Sequence, residues 1–206
     1  MRFYHKYFLP RALHFLCSAR PIRKQREKVV SQAAGRVVEI GIGSGLNLPF
    51  YNPCKVRHVW GIDPSQELWN MAAKTLTRAG FSVEFIKGGA EAIPLDDRCA
   101  DSVLVTFTLC TVSDVVPALA EIRRVLKPDG QLIFCEHGAA PDAAVRRWQD
   151  RLNPIWKRIS GGCNLNLPIP SLLQQAGFKI RAMDTMYLPG WKPATFNYRG
   201  TAALSK

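Results

Sequence analysis

The feature that most constrains the fold is an apolar segment that ends in three closely spaced glycines. Residues 37–45 read Val-Val-Glu-Ile-Gly-Ile-Gly-Ser-Gly, a pattern that predicts a buried strand followed by a tight turn. Glycine in such a turn lets the backbone approach a ligand at a place where a side chain would collide with it. We therefore expect a small ligand to bind against this turn.

A second constraint is the acidic residue at the end of the next predicted strand. Asp63 lies 22 residues after Gly41. In a doubly wound sheet, ligands bind at the carboxyl ends of the strands, and an acid at this position can accept hydrogen bonds from two ribose hydroxyls. The glycine turn and Asp63 together predict a cofactor that contains a nucleoside.

The spacing of the glycines argues against a dinucleotide. The dinucleotide fingerprint is Gly-x-Gly-x-x-Gly, and Leu46 stands where its third glycine is required. Glu39, just before the turn, would repel a pyrophosphate but could receive the cationic amino group of a methionine. This charge argument favours S-adenosylmethionine over NAD.

Helical and apolar segments alternate along the chain, which is typical of a parallel sheet with crossover helices. We expect an α/β, doubly wound fold with a seven-stranded, mainly parallel sheet flanked by helices. Strands are predicted at 36–41, 56–63, 82–87, 100–107, 130–137, 178–187 and 196–204. Helices are predicted at 65–78 with Ser65 as N-cap, at 114–126, from about 141 to 159 and at 172–176, with a turn at 127–130.

The positive charge of the chain is concentrated at its N-terminus. The formal net charge is +12, and residues 1–30 contain eight Lys or Arg against Glu27 alone. Aromatic and apolar residues alternate with these charges, so we expect a basic, amphipathic arm over 1–30 and one domain over 31–206. Two alternatives stay open: the arm meets an anionic membrane surface, or it docks over the active site as a lid.

Neither the cysteine spacing nor the hydropathy of the chain indicates secretion or insertion into a membrane. The six cysteines show no CxxC pair, so we expect reduced thiols and no metal site. No run of 18 apolar residues occurs, and charges interrupt the first segment, so a membrane span and a signal peptide are not expected. The predicted location is cytoplasmic, with attachment to the inner face of the membrane as an alternative.

With these motifs, residues 35–137 resemble the class I S-adenosylmethionine-dependent methyltransferases, which have a Rossmann-like fold. The resemblance also includes residues 89–94 (Gly-Ala-Glu-Ala-Ile-Pro), 101–108 and the turn 126–130 (Leu-Lys-Pro-Asp-Gly). It implies S-adenosyl-L-methionine as cofactor and S-adenosyl-L-homocysteine as product. The implied cofactor-binding residues are Glu39, Gly41, Gly43, Gly45, Asn47, Asp63, Pro64, Ala90, Glu91, Thr106 and Thr108.

One position departs from the family pattern. Many relatives have Asp where this chain has Gly89, and that Asp usually forms a hydrogen bond to the adenine. The backbone of Ala90 or the side chain of Glu91 is the candidate replacement.

From residue 135 onward the chain is similar to the methyltransferase-like thiol S-methyltransferases. The similarity is carried by 135–137 (Cys-Glu-His), 148–149 (Trp-Gln), 153–156 (Asn-Pro-Ile-Trp) and 161–165 (Gly-Gly-Cys-Asn-Leu). The branch is also close to phospholipid N-methyltransferases and quinone-biosynthesis methyltransferases. The resemblance implies a small-molecule or lipid acceptor, with a thiol preferred over a lipid amine or a quinone precursor.

A thiol or an amine must lose its proton before it can attack a methyl group. His137, at the end of the fifth predicted strand, is the candidate catalytic base. The candidate substrate-contacting residues are Cys110, Trp148, Trp156 and Asn164.

The sequence gives less support to two other functions. Nucleic-acid methylation is not favoured, because residues 108–111 read Thr-Leu-Cys-Thr where amino-directed enzymes have an Asn-Pro-Pro-Tyr type motif. A non-catalytic cofactor-binding protein at a membrane surface is the alternative from another class.

Overall fold

A seven-stranded sheet forms the centre of the computed structural model, which describes residues 9–72, 76 and 79–205. The strand order is β3-β2-β1-β4-β5-β7-β6; the first five strands in that list run parallel, and β7 is antiparallel to both β5 and β6. The predicted sheet is confirmed. The strands are β1 Gly35–Ile40, β2 Val56–Asp63, β3 Ser82–Lys87, β4 Ala100–Thr106, β5 Leu126–His137, β6 Phe178–Tyr187 and β7 Phe196–Leu204.

Helices cover both faces of this sheet. They are α1 Leu9–Cys17, α2 Arg20–Val30, α3 Gln66–Trp69, α4 Val115–Val125, α5 Ala143–Ile159 and α6 Ile169–Gln175, with short 3-10 turns at Leu48–Phe50, Asn70–Ala72 and Lys192–Ala194. In the described part of the chain, none of these helices is long and apolar enough to cross a membrane.

The alternation of side chains along each strand divides the core between the two faces. In β4, Val103 and Val105 pack with residues of α4 and α6, whereas Leu104 packs with the apolar side of α2. Strands buried on both faces need consecutive apolar residues rather than alternating ones, and this explains the unbroken Val-Leu-Val run of β4. The doubly wound prediction is therefore confirmed.

Several element boundaries differ from the predictions for backbone reasons. The first strand ends at Ile40 and the fourth at Thr106, one residue earlier than predicted, because Gly41 and Phe107 have φ values of +73° and +54°. The fifth strand begins at Leu126, since Leu126 pairs with Ala100 and Gln131 pairs with Ser102. The predicted turn at 127–130 is thus an insertion within β5. The last short helix begins at Ile169 rather than at 172.

The helix predicted at 65–78 is only partly within the described residues. The Ser65 hydroxyl accepts a hydrogen bond from the Leu68 amide at 3.2 Å, so the predicted N-cap is confirmed. Helix α3 then continues into the 3-10 turn, and residues 73–75, 77 and 78 lie outside the description. The predicted aromatic residues at 3, 4, 7 and 8 of the arm also lie outside it.

A fully buried glutamine connects helix α5 to the loops beneath it. The Gln149 amide oxygen accepts from the Ala140 amide at 2.9 Å, and its nitrogen lies 2.9–3.0 Å from the carbonyl oxygens of Gly138, Leu165 and Pro193. One side chain therefore holds three segments of backbone that would otherwise lack partners in the interior.

Replacing this glutamine is expected to lower the free energy of unfolding. In Gln149→Leu at least two buried backbone groups lose their partner, at about 1–3 kcal/mol each, so we expect a loss of about 3 kcal/mol or more. Urea denaturation measures it, with the exposed Gln174→Leu as the matched control. Equal stability of the two variants would contradict the assignment.

Candidate functional site

A cavity of about 450 Å³ opens at the carboxyl ends of β1, β2 and β4. This is the edge of the sheet at which doubly wound folds bind ligands, and the volume suits a small-molecule cofactor. Of the residues predicted to bind the cofactor, those that line the cavity are Gly41, Gly43, Asp63, Pro64, Ala90, Glu91, Thr106 and Thr108.

The glycine turn forms one wall of this cavity. Gly41 has a φ of +73°, and a Cβ there would collide with the Thr108 hydroxyl. Gly43 has a φ of +51°, but a Cβ there would come no closer than 3.8 Å to any protein atom. The space in front of Gly43 is thus left open for a ligand that approaches the backbone closely.

The Asp63 carboxylate is oriented by backbone donors. Its Oδ2 accepts from the Gly43 amide at 2.9 Å, and its Oδ1 accepts from the Ser65 amide at 2.8 Å. Burial raises the pKa of Asp63, and these two hydrogen bonds act in the opposite direction. A carboxylate can accept about four hydrogen bonds, so each oxygen can still accept one from a ligand hydroxyl.

Glu39 and Asn47 lie behind the cavity wall and, in the described part of the chain, are not among the residues that line it. The Glu39 carboxylate accepts from the Asn47 amide nitrogen at 2.8 Å and from the Tyr51 hydroxyl at 2.7 Å. Burial raises the pKa of Glu39 to about 7, although both hydrogen bonds lower it. Gly45 is not a lining residue either; its backbone turns beneath Leu48 and Ala72. These three residues shape the turn from behind.

Arg26 is a cavity residue that the sequence did not reveal. It is 6% exposed, and its Nη1 donates to Asn47 at 2.9 Å and to the Thr106 hydroxyl at 2.7 Å. Its guanidinium also lies 5.2 Å from the centre of the Phe107 ring. No local pattern separates Arg26 from the other basic residues of the arm; only the packing of α2 brings it into the site.

Helix α1 closes the same side of the cavity. His14 Nδ1 lies 2.7 Å from the Ser44 hydroxyl, and both His14 and Cys17 line the cavity. The described part of the predicted arm therefore packs against the glycine turn.

The loop at residues 89–91 forms the opposite wall. The Glu91 carboxylate accepts from the amide of Ser113 at 3.0 Å, which connects the loop to the start of α4. The Glu91 side chain thus has a structural contact. Ala90 also lines the cavity, and no hydrogen bond of its backbone is observed among the described residues. Both residues stay candidates for the predicted adenine contact.

The predicted acceptor residues lie apart from the lining of this cavity. Asn164 donates from its backbone amide and from its side chain to the Cys110 carbonyl, at 2.7 and 3.0 Å. Trp156 packs against Trp191 with ring centres 6.0 Å apart. Trp148 is 55% exposed on the outer side of α5, so the structure does not bring it together with the other three.

His137 also does not line the cavity formed by the described residues. Its Nε2 lies 3.0 Å from the Cys163 sulfur, and Cys163 contacts Cys110. The hydrogen bond from Cys110 lowers the pKa of Cys163 to about 4, with the His137 ring adding to the effect. The fold has therefore assembled a cluster of two thiols and an imidazole from positions far apart in the sequence.

Comparison with known proteins shows which family has a sequence similar to this chain. The sequence profile of a methyltransferase domain matches residues 38–134. The chain is 31% identical over 199 residues to human thiol S-methyltransferase TMT1B, covering 90% of this chain and 80% of that protein. The match to the rat protein of that name has the same identity and covers 79% of this chain and 65% of the rat protein, so this chain spans just under two thirds of that relative.

Two other matches extend the comparison. The demethylmenaquinone methyltransferase of Thermus thermophilus is 28% identical over 192 residues, covering 84% of this chain and 87% of that protein. A crystal structure from Thermotoga maritima, described as a SAM-dependent methyltransferase and possible histamine N-methyltransferase, superposes with a TM-score of 0.67 at 24% identity and covers 98% of this chain and 97% of that chain. At this identity the superposition shows the fold.

The buried Glu39 predicts a pH-dependent stability. Because its pKa in the folded protein is raised from 4.5 to about 7, its contribution to stability is complete below about pH 4.5 and is lost as the pH rises through about 7. Glu39→Gln cannot ionise at this position. Between about pH 4.5 and 7 the unfolding free energy of the wild type should therefore fall by roughly 3 kcal/mol relative to that of the variant.

Urea unfolding at a series of pH values measures this difference. The matched control is Glu27→Gln, since Glu27 is exposed on α2. A difference that stays constant with pH in Glu39→Gln, as in the control, would show that the burial of Glu39 does not affect its ionisation.

Proposed function

Because the chain belongs to the class I S-adenosylmethionine-dependent methyltransferases, we propose that it transfers the methyl group to the sulfur of a small, apolar thiol. The enzyme class and the cofactor follow from the family. The choice of a thiol rests on one observation. This chain is 31% identical to the human thiol S-methyltransferase TMT1B and covers 80% of that protein.

The cavity offers complementary groups to each part of the cofactor. Asp63 would accept hydrogen bonds from the ribose hydroxyls, and the Ala90 amide would donate to the adenine. Gly43 leaves room for the cofactor to lie against the backbone. Arg26 brings a buried cation to the same cavity, where it would attract the methionine carboxylate. Thr106 and Thr108 also line this cavity.

When bound, S-adenosylmethionine supplies a methyl group that is already activated by the positive charge on its sulfur. The acceptor would form its new bond to this methyl carbon as the carbon–sulfur bond breaks, and the cofactor would be left as the neutral thioether S-adenosylhomocysteine. The protein therefore has to align the acceptor and exclude water. Helices α1 and α2, through His14, Cys17 and Arg26, cover the cavity and are suited to this task.

The catalytic role of His137 stays a prediction. Its ring faces Cys163 rather than the cavity. A free cysteine thiol has a pKa of about 8.5 in water, so thiols of this kind are partly thiolate near neutral pH without a protein base. The proposal for a thiol acceptor therefore does not depend on His137.

A quinone precursor is the second candidate acceptor. It is supported by the similarity to demethylmenaquinone methyltransferase over 87% of that protein. The alternative of a phospholipid amine has no named relative among the matches described above and stays a prediction. A non-catalytic role is disfavoured because the glycine turn, Asp63 and its two backbone donors are all in place.

Attachment to an anionic membrane surface also stays a prediction. The side chains of Phe15 and Leu16 on α1 are exposed, and basic residues follow on α2. This combination is typical of segments that lie in the membrane interface. It supports the hypothesis that the arm meets a lipid surface, although the same helices cover the cavity.

Loss of the Asp63 charge is expected to weaken cofactor binding. Removing a charge-assisted hydrogen-bond acceptor costs about 1.5–3 kcal/mol, so the Kd of Asp63→Asn for S-adenosylhomocysteine should rise by about tenfold to a hundredfold. Isothermal titration calorimetry measures this change. Asp129→Asn, at an exposed position of β5, is the control, and thermal unfolding of both variants verifies that they are folded.

The acceptor is tested with radiolabelled S-adenosylmethionine. The panel contains an apolar thiol, the alcohol of the same shape, phosphatidylethanolamine vesicles and a demethylated naphthoquinol, with Asp63→Asn as the background. We expect label on the thiol and none on the alcohol, because near neutral pH a thiol forms far more of its anion, the attacking species, than an alcohol does. Label on the naphthoquinol or the lipid but not on the thiol would overturn the thiol assignment and leave the enzyme class standing.

A further inference from the structure

Three side chains with metal-binding chemistry meet outside the cofactor cavity. The sulfur atoms of Cys110 and Cys163 and a ring nitrogen of His137 all lie within 4.8 Å of one another. His137 Nε2 is the ring atom that faces Cys163, at 3.0 Å. None of the three is needed for the cofactor contacts proposed above, so the cluster calls for a separate explanation.

The backbone positions this cluster independently of the thiols. Cys110 lies in the turn after β4, and His137 is the last residue of the neighbouring strand β5. The loop that carries Cys163 is connected to the Cys110 carbonyl by two hydrogen bonds from Asn164. The next residue, Leu165, donates to the Asn153 side chain at 2.8 Å. The three donors are thus held together by contacts that involve neither sulfur nor imidazole, which makes the site preorganised.

The distances agree with tetrahedral coordination. Zinc lies about 2.3 Å from thiolate sulfur and about 2.0–2.1 Å from imidazole nitrogen, so in a tetrahedron two sulfurs stand about 3.8 Å apart and a sulfur and a nitrogen about 3.6 Å apart. The cluster, with every pair within 4.8 Å, needs shifts of about 1 Å or less. The glycines at 161 and 162, with φ values of +70° and +98°, allow the backbone conformation of the turn that precedes Cys163.

We propose that Cys110, His137 and Cys163 form a binding site for one thiophilic divalent cation of the Zn²⁺ type. Two thiolates and an imidazole are soft and borderline ligands, which select Zn²⁺ over Mg²⁺ or Ca²⁺. Both thiols release their protons to solvent as the two sulfur–metal bonds form. His137 Nδ1 has no hydrogen-bond partner among the described residues, so the ring can carry its proton there while Nε2 binds the cation.

The site has three protein ligands, which leaves one tetrahedral position for water or a small ligand. An open position of this kind distinguishes such a site from the closed four-ligand sites that serve only stability. Gly161, two residues before Cys163, lines the cofactor cavity, so the cation would lie close to the wall of the cavity. This inference does not rest on the proposed thiol acceptor and is tested without an activity measurement.

Cobalt titration of the full chain is the direct test. The reduced, chelator-treated protein receives Co²⁺ under anaerobic conditions, and absorption spectra are recorded. We expect one equivalent to bind with near-ultraviolet thiolate-to-cobalt charge transfer and the visible bands of tetrahedral cobalt, and Zn²⁺ to displace it. Absence of the charge-transfer band from reduced, folded protein would overturn the proposal.

Two serine variants identify the ligands. Cys163→Ser keeps a hydrogen-bonding group next to His137, so we expect a folded protein whose Co²⁺ affinity is lower by about a hundredfold or more, since loss of even an outer partner costs about tenfold to a hundredfold. Cys54→Ser is the control, because Cys54 is an exposed thiol. Equal loss in both variants would contradict the assignment.

Two further measurements make the outcome unambiguous. Calorimetric binding of S-adenosylhomocysteine should be unchanged in Cys163→Ser, which separates failure of the metal site from failure of the cofactor site. Counting free thiols in the protein before reduction should give all six cysteines. Two fewer, with Cys110 and Cys163 joined in a disulfide-linked peptide, would show that the pair is an oxidisable dithiol and would overturn the metal site.

Discussion

The buried guanidinium of Arg26 joins the parts of the molecule that form the cofactor cavity. It donates hydrogen bonds from α2 to Asn47, behind the glycine turn, and to Thr106, at the end of β4. The Asn47 side chain in turn donates a hydrogen bond to the Glu39 carboxylate. A buried cation is costly unless it is paired and hydrogen-bonded. Here the Asn47 side-chain amide bridges the guanidinium and the Glu39 carboxylate. The N-terminal helices are therefore held against the sheet by a polar network as well as by apolar packing.

Much of the fold was accessible from the sequence because the relevant signals are local. The apolar runs of β1 and β4 and the Ser65 cap each depend on neighbouring residues, and each was predicted correctly. Boundaries were less accurate: Phe107 adopts a positive φ, which its residue type does not indicate. The insertion within β5 was predicted as a turn, because Pro and Gly indicate a chain reversal whether or not the strand resumes its pairing.

The residues of the site also fall into two groups, those recognisable from the local sequence and those that only the fold brings together. Asp63 and the glycines that line the cavity are recognisable because their spacing follows from the backbone of a strand and its turn. Arg26 and the Cys110–His137–Cys163 cluster were not recognised, since they come from separate elements that only the strand order β1-β4-β5 and the α5 loop bring together. The absence of CxxC spacing predicts no metal site, but such spacing concerns only ligands on one local segment, so the metal site proposed above is argued from the fold instead.

The cofactor cavity and the predicted acceptor residues therefore depend on different parts of the fold. The cofactor cavity has one wall formed by the glycine turn, whose backbone geometry is set by the fold. The predicted acceptor residues Trp148, Trp156 and Asn164 instead lie on α5 and in the loop at 161–165, outside the sheet. Acceptor specificity can therefore vary in such a fold while the sheet is kept. Relatives named for thiol and for demethylmenaquinone methylation both align along most of this chain, which agrees with this separation.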